Sequence, residues 1–358
     1  MGAGIPPGKD EFEFTLFGPG YGESIVLHVG GGIWIIVDSC LDAKGTPRSL
    51  EYLTQIGVNP ADAVDLIVAT HWHDDHIHGM TRLVEVCSKA TFCCASVLCQ
   101  KEFLSVAGAL EDRHMSAAGS GLRELYGVFS QLLQIKSQPT LAIANRPIYR
   151  QGKCEIWSLS PNDANFLTFL KNVGKLLPEV GESKRRIPSI SPNDVAVVLW
   201  IKVADVVVLL GSDLEKRGWV EVLQSTTRPQ ENASAFKIPH HGSENAHEPD
   251  VWKRMLEPNA HAVLTPWSKG GRNLPSKRDA QRILSFTQNA YATALIKSSA
   301  TTPVKRINMV EKMIRESGIK LHWLSMSPGG IRLRKKLNSP TQWNIEKFGS
   351  ACHLNGYL

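Results

Sequence analysis

No apolar run in this 358-residue chain approaches the roughly 18 residues that a membrane-spanning helix needs, so no membrane partner is expected. The opening residues Met1-Gly2-Ala3-Gly4-Ile5-Pro6-Pro7 lack the charged segment followed by an apolar stretch that marks a secretion leader. The cytoplasm is the expected compartment. Seven cysteines, Cys40, Cys87, Cys93, Cys94, Cys99, Cys154 and Cys352, are an odd number, and none stands in a Cys-x-x-Cys pair. This favours buried free thiols over a disulfide framework, and Cys93-Cys94, inside the strand-like run from Ala90 to Val97, is expected in the core. Internal repeats and low-complexity tracts are absent as well.

What is present is a globular composition, 42% hydrophobic and 21% charged, in a chain long enough to bury a large core. The net charge of +6 is unevenly spread: residues 1–250 hold 22 Lys+Arg against 29 Asp+Glu, and residues 251–358 hold 18 against 5. A basic final third suits a polyanion such as a nucleic acid, or a merely solvated basic face.

The most informative stretch is Thr70-His71-Trp72-His73-Asp74-Asp75-His76-Ile77-His78-Gly79, directly behind the apolar run Leu66-Ile67-Val68-Ala69. A short β-branched run ending in a polar cluster reads as a buried strand delivering a loop at its C-terminal end, where α/β sheets place chemistry. Imidazole nitrogens and carboxylate oxygens are the ligands that borderline-hard divalent metals prefer. On an irregular loop His71 and His73 can point one way while Asp75 and His76 point another, enough for two ions a few ångströms apart.

This pattern resembles the signature loop of the metallo-β-lactamase superfamily, with His71, His73, Asp75 and His76 on its four ligand positions. Two further stretches extend the resemblance, which covers residues 12 to 295. Val206 to Glu215 is similar to the later strand whose terminal aspartate, here Asp213, bridges the two metals. Phe236-Lys237-Ile238-Pro239-His240-His241-Gly242-Ser243 is similar to the Lys-x-x-His-His-Gly-Ser segment of the branch containing the nuclease-like domain of bacterial DNA-uptake channel proteins.

The resemblance implies an α/β fold, a four-layer αβ/βα sandwich, with residues 1–300 as the catalytic domain. An opening hairpin ends at Asp38, which orients the histidine loop from the second shell. Two divalent ions, zinc or manganese, are implied, held by His71, His73, Asp75, His76, Asp213 and one of His240 and His241. His241 is preferred as the ligand because it directly precedes Gly242, and the other histidine then faces substrate or leaving group. Asp75, His240, Lys237 and Ser243 are the expected catalytic residues, Lys237 and Ser243 offering a cation and a hydroxyl to a phosphate oxygen. The implied activity is hydrolysis by a metal-bound hydroxide, of a phosphodiester in the nuclease branch. A thioester, lactone or cyclic nucleotide is the alternative substrate, and a non-catalytic metal-binding regulator the third reading.

The chain departs from the family pattern twice. Where many members place a third histidine for the first metal, Ser160 stands, with His114 a possible substitute. Leu274, in Arg272-Asn273-Leu274-Pro275-Ser276, occupies the place of the histidine in the branch's Gly-His-Pro element.

Around this core a helical insertion is expected at about 98–136, and the polar loop from Gly181 to Ser189, with Lys184-Arg185-Arg186, suits phosphate. Residues 301–358 are expected to form a small basic α+β extension packed on or next to the catalytic domain, with a helix from Ile307 to Glu316 and strands from Ile319 to Leu324 and Ile331 to Leu333. There Arg332, Arg334, Lys335 and Lys336 precede Trp343 and Phe348, a pattern that suits nucleic-acid tracking or a sheet edge facing water. A protein partner is compatible with the reading.

Overall fold

Phe12, Phe14 and Leu16 alternate with Glu13 and Thr15, and this period of two becomes β1 (Glu11–Gly18) in the computed structural model, which describes residues 4–18, 22–100, 120–174, 192–269, 272–296 and 328–358. Apolar runs rich in Val and Ile give β2 (Ser24–His28), β3 (Trp34–Val37) and β4 (Val64–Ala69). They are followed by β5 (Thr91–Ala95), β6 (Thr140–Ala142), β7 (Arg146–Gln151) and β8 (Cys154–Ser158). Next come β9 (Leu199–Val203), β10 (Val206–Leu210), β11 (Ala233–Lys237) and β12 (Leu256–Leu264). The short hairpin β13 (Trp267–Lys269) and β14 (Arg272–Leu274) precedes β15 (Ala290–Ala292), β16 (Gly329–Lys336), β17 (Asn344–Gly349) and β18 (Cys352–His353).

The strands form two eight-stranded sheets, ordered β17-β16-β1-β2-β3-β4-β5-β6 and β18-β15-β12-β11-β10-β9-β8-β7. One apolar cluster joins them: Phe14, Ile36 and Val68 of the first sheet pack with Ile201, Val208, Leu210 and Val263 of the second. Val207 and Leu209 point the other way, as the strand period demands, into a second cluster with Trp219, Val222, Val251 and Ile283 from the helices Lys216–Gln224, Pro249–Arg254 and Lys277–Leu284. Helices Arg48–Gln55, Met80–Val86 and Ser120–Gln134 serve the first sheet through Leu53, Leu83 and Leu125. The mixed α/β fold with two large sheets and flanking helices is therefore the one the sequence implies.

Of the expected helical insertion, Ser120–Gln134 is helix; residues 101–119, with His114, lie outside the described residues, as do the basic loop 181–189 and the elements expected at 307–316 and 319–324. The final stretch is built into the sheets. β16 pairs antiparallel with all of β1, from Glu11 opposite Lys336 to Gly18 opposite Gly329, and β18 pairs with β15.

The cations of β16 are largely taken by the chain's own carboxylates. Arg332 is buried, donates to Glu346 and to the Tyr52 hydroxyl, and lies over the Phe348 ring. Arg334 donates to Glu13 at 2.7 Å, and Lys336 stands 3.2 Å from Asp10. All seven cysteines are free thiols, with Cys93 and Cys94 fully buried. No helix among the described residues is long and apolar enough to cross a membrane.

Candidate metal centre

β4 is a buried parallel strand between β3 and β5, and at its end the chain leaves the sheet with Thr70. The residues beyond it are free of ladder pairing, which is why side chains can converge there. His71 to His78 follow as a bend and one short helical turn, Asp74–Ile77. In the second sheet β10 ends just before Asp213, and its parallel neighbour β11 leads to the turn His240–Gly242. Val197 donates to the Thr70 carbonyl at 3.1 Å, tying the lead-in of β9 to the histidine loop.

Six expected ligands meet between these strand ends. Asp213 Oδ2 is 3.9 Å from both His71 Nε2 and His241 Nε2, while Asp213 Oδ1 is 3.4 Å from His76 Nε2. Asp75 Oδ2 is 3.3 Å from His241 Nε2 and 4.0 Å from His76 Nε2, and His73 Nδ1 is 3.2 Å from His71 Nε2. Donor atoms around one ion at bond lengths of about 2.0–2.2 Å stand about 3–4 Å apart, so these separations suit shared coordination. Five of the six form two overlapping sets, His71–His76–Asp213 and Asp75–His76–His241, and a third set, Glu23–Asp38–His76, shares His76 with both.

The rings are held so that their free nitrogens face the centre. Asp38 accepts from the Thr70 backbone N–H and hydroxyl, both at 2.8 Å, and from His76 Nδ1 at 2.7 Å, leaving His76 Nε2 inward. Because the Thr70 hydroxyl is committed to Asp38, it accepts from His71 Nδ1 at 3.0 Å. His241 Nδ1 donates to the Thr265 carbonyl at 2.9 Å. His76 Nε2 and Asp213 Oδ1, 3.4 Å apart, are buried and accept or donate no hydrogen bond among the described residues, an arrangement that a cation between them would complete. The imidazole and carboxylate donor set fits zinc or manganese.

The electrostatics agree. Glu23, Asp38, Asp75 and Asp213 all place a carboxylate oxygen within 4.0 Å of His76. Burial alone would depress that imidazole, but the four anions, Asp213 foremost, outweigh it and hold its pKa well above the ordinary value. His241 is raised in the same way against burial, through Asp213 and Asp75. Burial lowers His71 and His73. Burial would raise Asp75 and Asp213, yet the charges of His76 and His241 keep both below the usual carboxylate range. The centre is a pocket of negative charge that stabilises positive charge.

Backbone strain collects at the same place. Asp38, Ser212, His240 and His241 have φ of 59°, 47°, 47° and 56°, a left-handed region that non-glycine residues enter rarely and most often at functional sites. Gly22 is needed for close approach, since a Cβ there would fall 2.0 Å from the Asp75 carbonyl oxygen.

The other expected residues fall in different places. His240 is one-fifth exposed at the mouth, its Nδ1 3.8 Å from Glu215, and Ser243 is half-buried two residues past His241. Lys237 corrects the expectation of a phosphate-facing cation. It shares the inward face of β11 with Ala235, is completely buried, and its Nζ lies 2.6 Å from Glu23 Oε1. Ser160 acts as a latch, donating to the Ala196 carbonyl at 2.6 Å and accepting from the Val198 N–H at 2.8 Å. Sequence reasoning missed Glu23, although an acid at the entry of the apolar strand β2 was a visible anomaly.

The family model of the metallo-beta-lactamase superfamily matches residues 17–111, about a quarter of the chain, including the histidine loop. No curated protein matches the sequence. Among solved structures, the metallo-beta-lactamase fold protein YhfI from Bacillus subtilis is 12% identical, with 78% of this chain and 95% of that one covered and a TM-score of 0.39. A metallo-beta-lactamase HARLDQ motif mutant from Cronobacter sakazakii is 16% identical, covering 62% and 75%, with a TM-score of 0.34. Rm3 metallo-beta-lactamase is 11% identical, covering 72% and 90%, with a TM-score of 0.37. The family match supports the resemblance to the superfamily, and together with the His/Asp clusters it points to a metal-dependent hydrolase.

Proposed function

We propose that this protein is a metal-dependent hydrolase acting on phosphodiesters, with a dinuclear centre held by His71, His73, Asp75, His76, Asp213 and His241. The observation that carries the metal reading is Asp213, whose Oδ2 is equidistant from His71 and His241 while its Oδ1 and His76 Nε2 are buried without hydrogen bonds among the described residues. Divalent ions there would supply Lewis acidity that acidifies water and neutralises charge developing on an ester oxygen.

The chain's own residues do the rest. Asp38 and Thr70 fix the ring orientations of His76 and His71. Asp75, one-quarter exposed, is the carboxylate nearest the open side and is placed to take a proton. His240 stands at the mouth, where a leaving group departs. Beside the centre, the hairpin β13–β14 carries Trp267, whose ring lies nearly parallel to His241 at 6.3 Å.

A second reading, a hydrolase of small anionic molecules rather than polynucleotides, is favoured by the ion pairs of Arg332 and Arg334, which withdraw them from any extended basic track. One experiment separates the two. Cleavage of a small chromogenic phosphodiester and of labelled single- and double-stranded DNA and RNA is followed with zinc or manganese, for wild type and Asp213→Ala. Diester cleavage lost in the variant and inhibited by polynucleotide in a steeply salt-dependent manner supports the nuclease. Cleavage indifferent to polynucleotide moves the substrate to small molecules, and equal turnover by both proteins contradicts the hydrolase.

A further inference from the structure

Glu23 and Lys237 are 1% and 0% exposed, one leading into β2 of the first sheet and the other ending β11 of the second. Their contact joins the two sheets at the ends that carry the ligands. On one side Glu23 donates its backbone N–H to the Asp75 carbonyl at 2.7 Å, and its Oε1 lies 3.7 Å from His76 Nδ1. On the other, Lys237 Nζ donates to the Ser212 carbonyl at 2.9 Å and lies 3.7 Å from Asp213 Oδ1.

We infer that Glu23 and Lys237 are a positioning pair that sets the distance between the histidine loop and Asp213, and with it the affinity of the centre for divalent cations. The inference rests on the metal-centre reading above. Two considerations support it beyond proximity. A buried lysine and carboxylate are seldom the stablest filling for such a space, since apolar residues of similar volume usually do as well or better. Moreover, an ammonium 3.7 Å from a ligand oxygen repels an incoming cation. A lysine kept there despite both penalties is explained by the geometry it imposes on Ser212 and Asp213.

The repulsion gives the test a sign. If Lys237 acted only through space, Lys237→Met would tighten divalent-ion binding; as a positioning residue, its loss weakens it. Metal-free protein is titrated calorimetrically with zinc and manganese, and its melting is recorded, for wild type, Lys237→Met, Glu23→Gln and the double variant. The expected result is a loss of about 10–100-fold in affinity for Lys237→Met, the range seen when groups supporting metal ligands are removed. The double variant, which strands no charge, is expected to melt at or above wild type without recovering the affinity. Unchanged or tighter binding in Lys237→Met, or wild-type affinity in the double variant, overturns the positioning role. A wild type that binds neither ion fails differently, because it removes the metal centre itself and the pair's role with it.

Discussion

Glu13 and Glu23 lie on the same opening hairpin, both buried and both paired with a cation, yet their surroundings differ. Both oxygens of Glu13 are used: Oε1 accepts from Thr15 at 2.8 Å and from the Tyr52 hydroxyl, and Oε2 accepts from Arg334 at 2.7 Å. Among the described residues Glu23 has Lys237 on Oε1 but nothing on Oε2, and the nearby His76 Nε2 and Asp213 Oδ1 also make no hydrogen bond. A buried polar network whose carboxylate is paired at both oxygens holds a fold together. One left open at several atoms is strained until something arrives to complete it. The first network joins β1 to β16; the second is the candidate metal centre.

This contrast can be broken most forcefully at the closed network. Glu13→Ala takes the carboxylate from Arg334 and the acceptor from the buried Tyr52 hydroxyl and is expected to destabilise the fold by about 3–5 kcal/mol in chemical denaturation, with metal stoichiometry unchanged in the folded fraction. The open network should answer in the opposite way. Asp213→Ala is expected to lower kcat/KM for a phosphodiester by on the order of 10²–10³, or about 3–4 kcal/mol of transition-state stabilisation, while the metal-free protein melts no lower than wild type. A large loss of metal-free stability in Asp213→Ala would make the two networks alike.

Ser160 provides an intermediate case, since it stands where a ligand was sought. Ser160→Ala leaves the Val198 N–H without its acceptor and is expected to cost about 1–3 kcal/mol with no change in metal stoichiometry. Loss of a bound ion in that variant would restore Ser160 to the centre. The smallest effect concerns protonation away from the metal ligands. Burial lowers the pKa of His28, whose neutral ring pairs Nδ1 with the Glu11 carbonyl and accepts the Gly32 N–H at Nε2. Burial likewise lowers His247, to about 4. The unfolded chain therefore binds these protons more readily than the folded one, so their contribution is intact above the unfolded value of about 6.5 and is lost as pH falls below it. His76 and His241, whose folded pKa is raised, act in the opposite sense, so the His28 share is read as a difference: between pH 7 and pH 5 the denaturation midpoint of His28→Gln should lose less with falling pH than that of wild type.

Much of the centre was legible because its parts are local. Four of the proposed ligands lie within His71 to His76, directly behind a strand whose apolar run announces it, and Asp213 and His241 each follow a strand of the same kind. What the sequence concealed depends on pairings between distant segments. The partner of Lys237 is Glu23, from the other sheet, so a lysine beside two histidines read as a cation for substrate. The face on which Lys237 sits follows from the period of β11, in which Ala235 points between the sheets and Phe236 away from them. Similarly, Arg332 and Arg334 read as a basic surface until β16 is laid between β17 and β1, whose Glu346 and Glu13 neutralise them.

The most direct measurement is the metal content of the purified protein after removal of all ions and re-equilibration with zinc or manganese, taken together with hydrolysis of a chromogenic phosphodiester by the same sample. Two ions per chain, with turnover that appears on loading and is lost in Asp213→Ala, is the expected result. A wild-type chain that retains no divalent ion under these conditions would contradict the assignment of the open network around His76 and Asp213 as a metal centre.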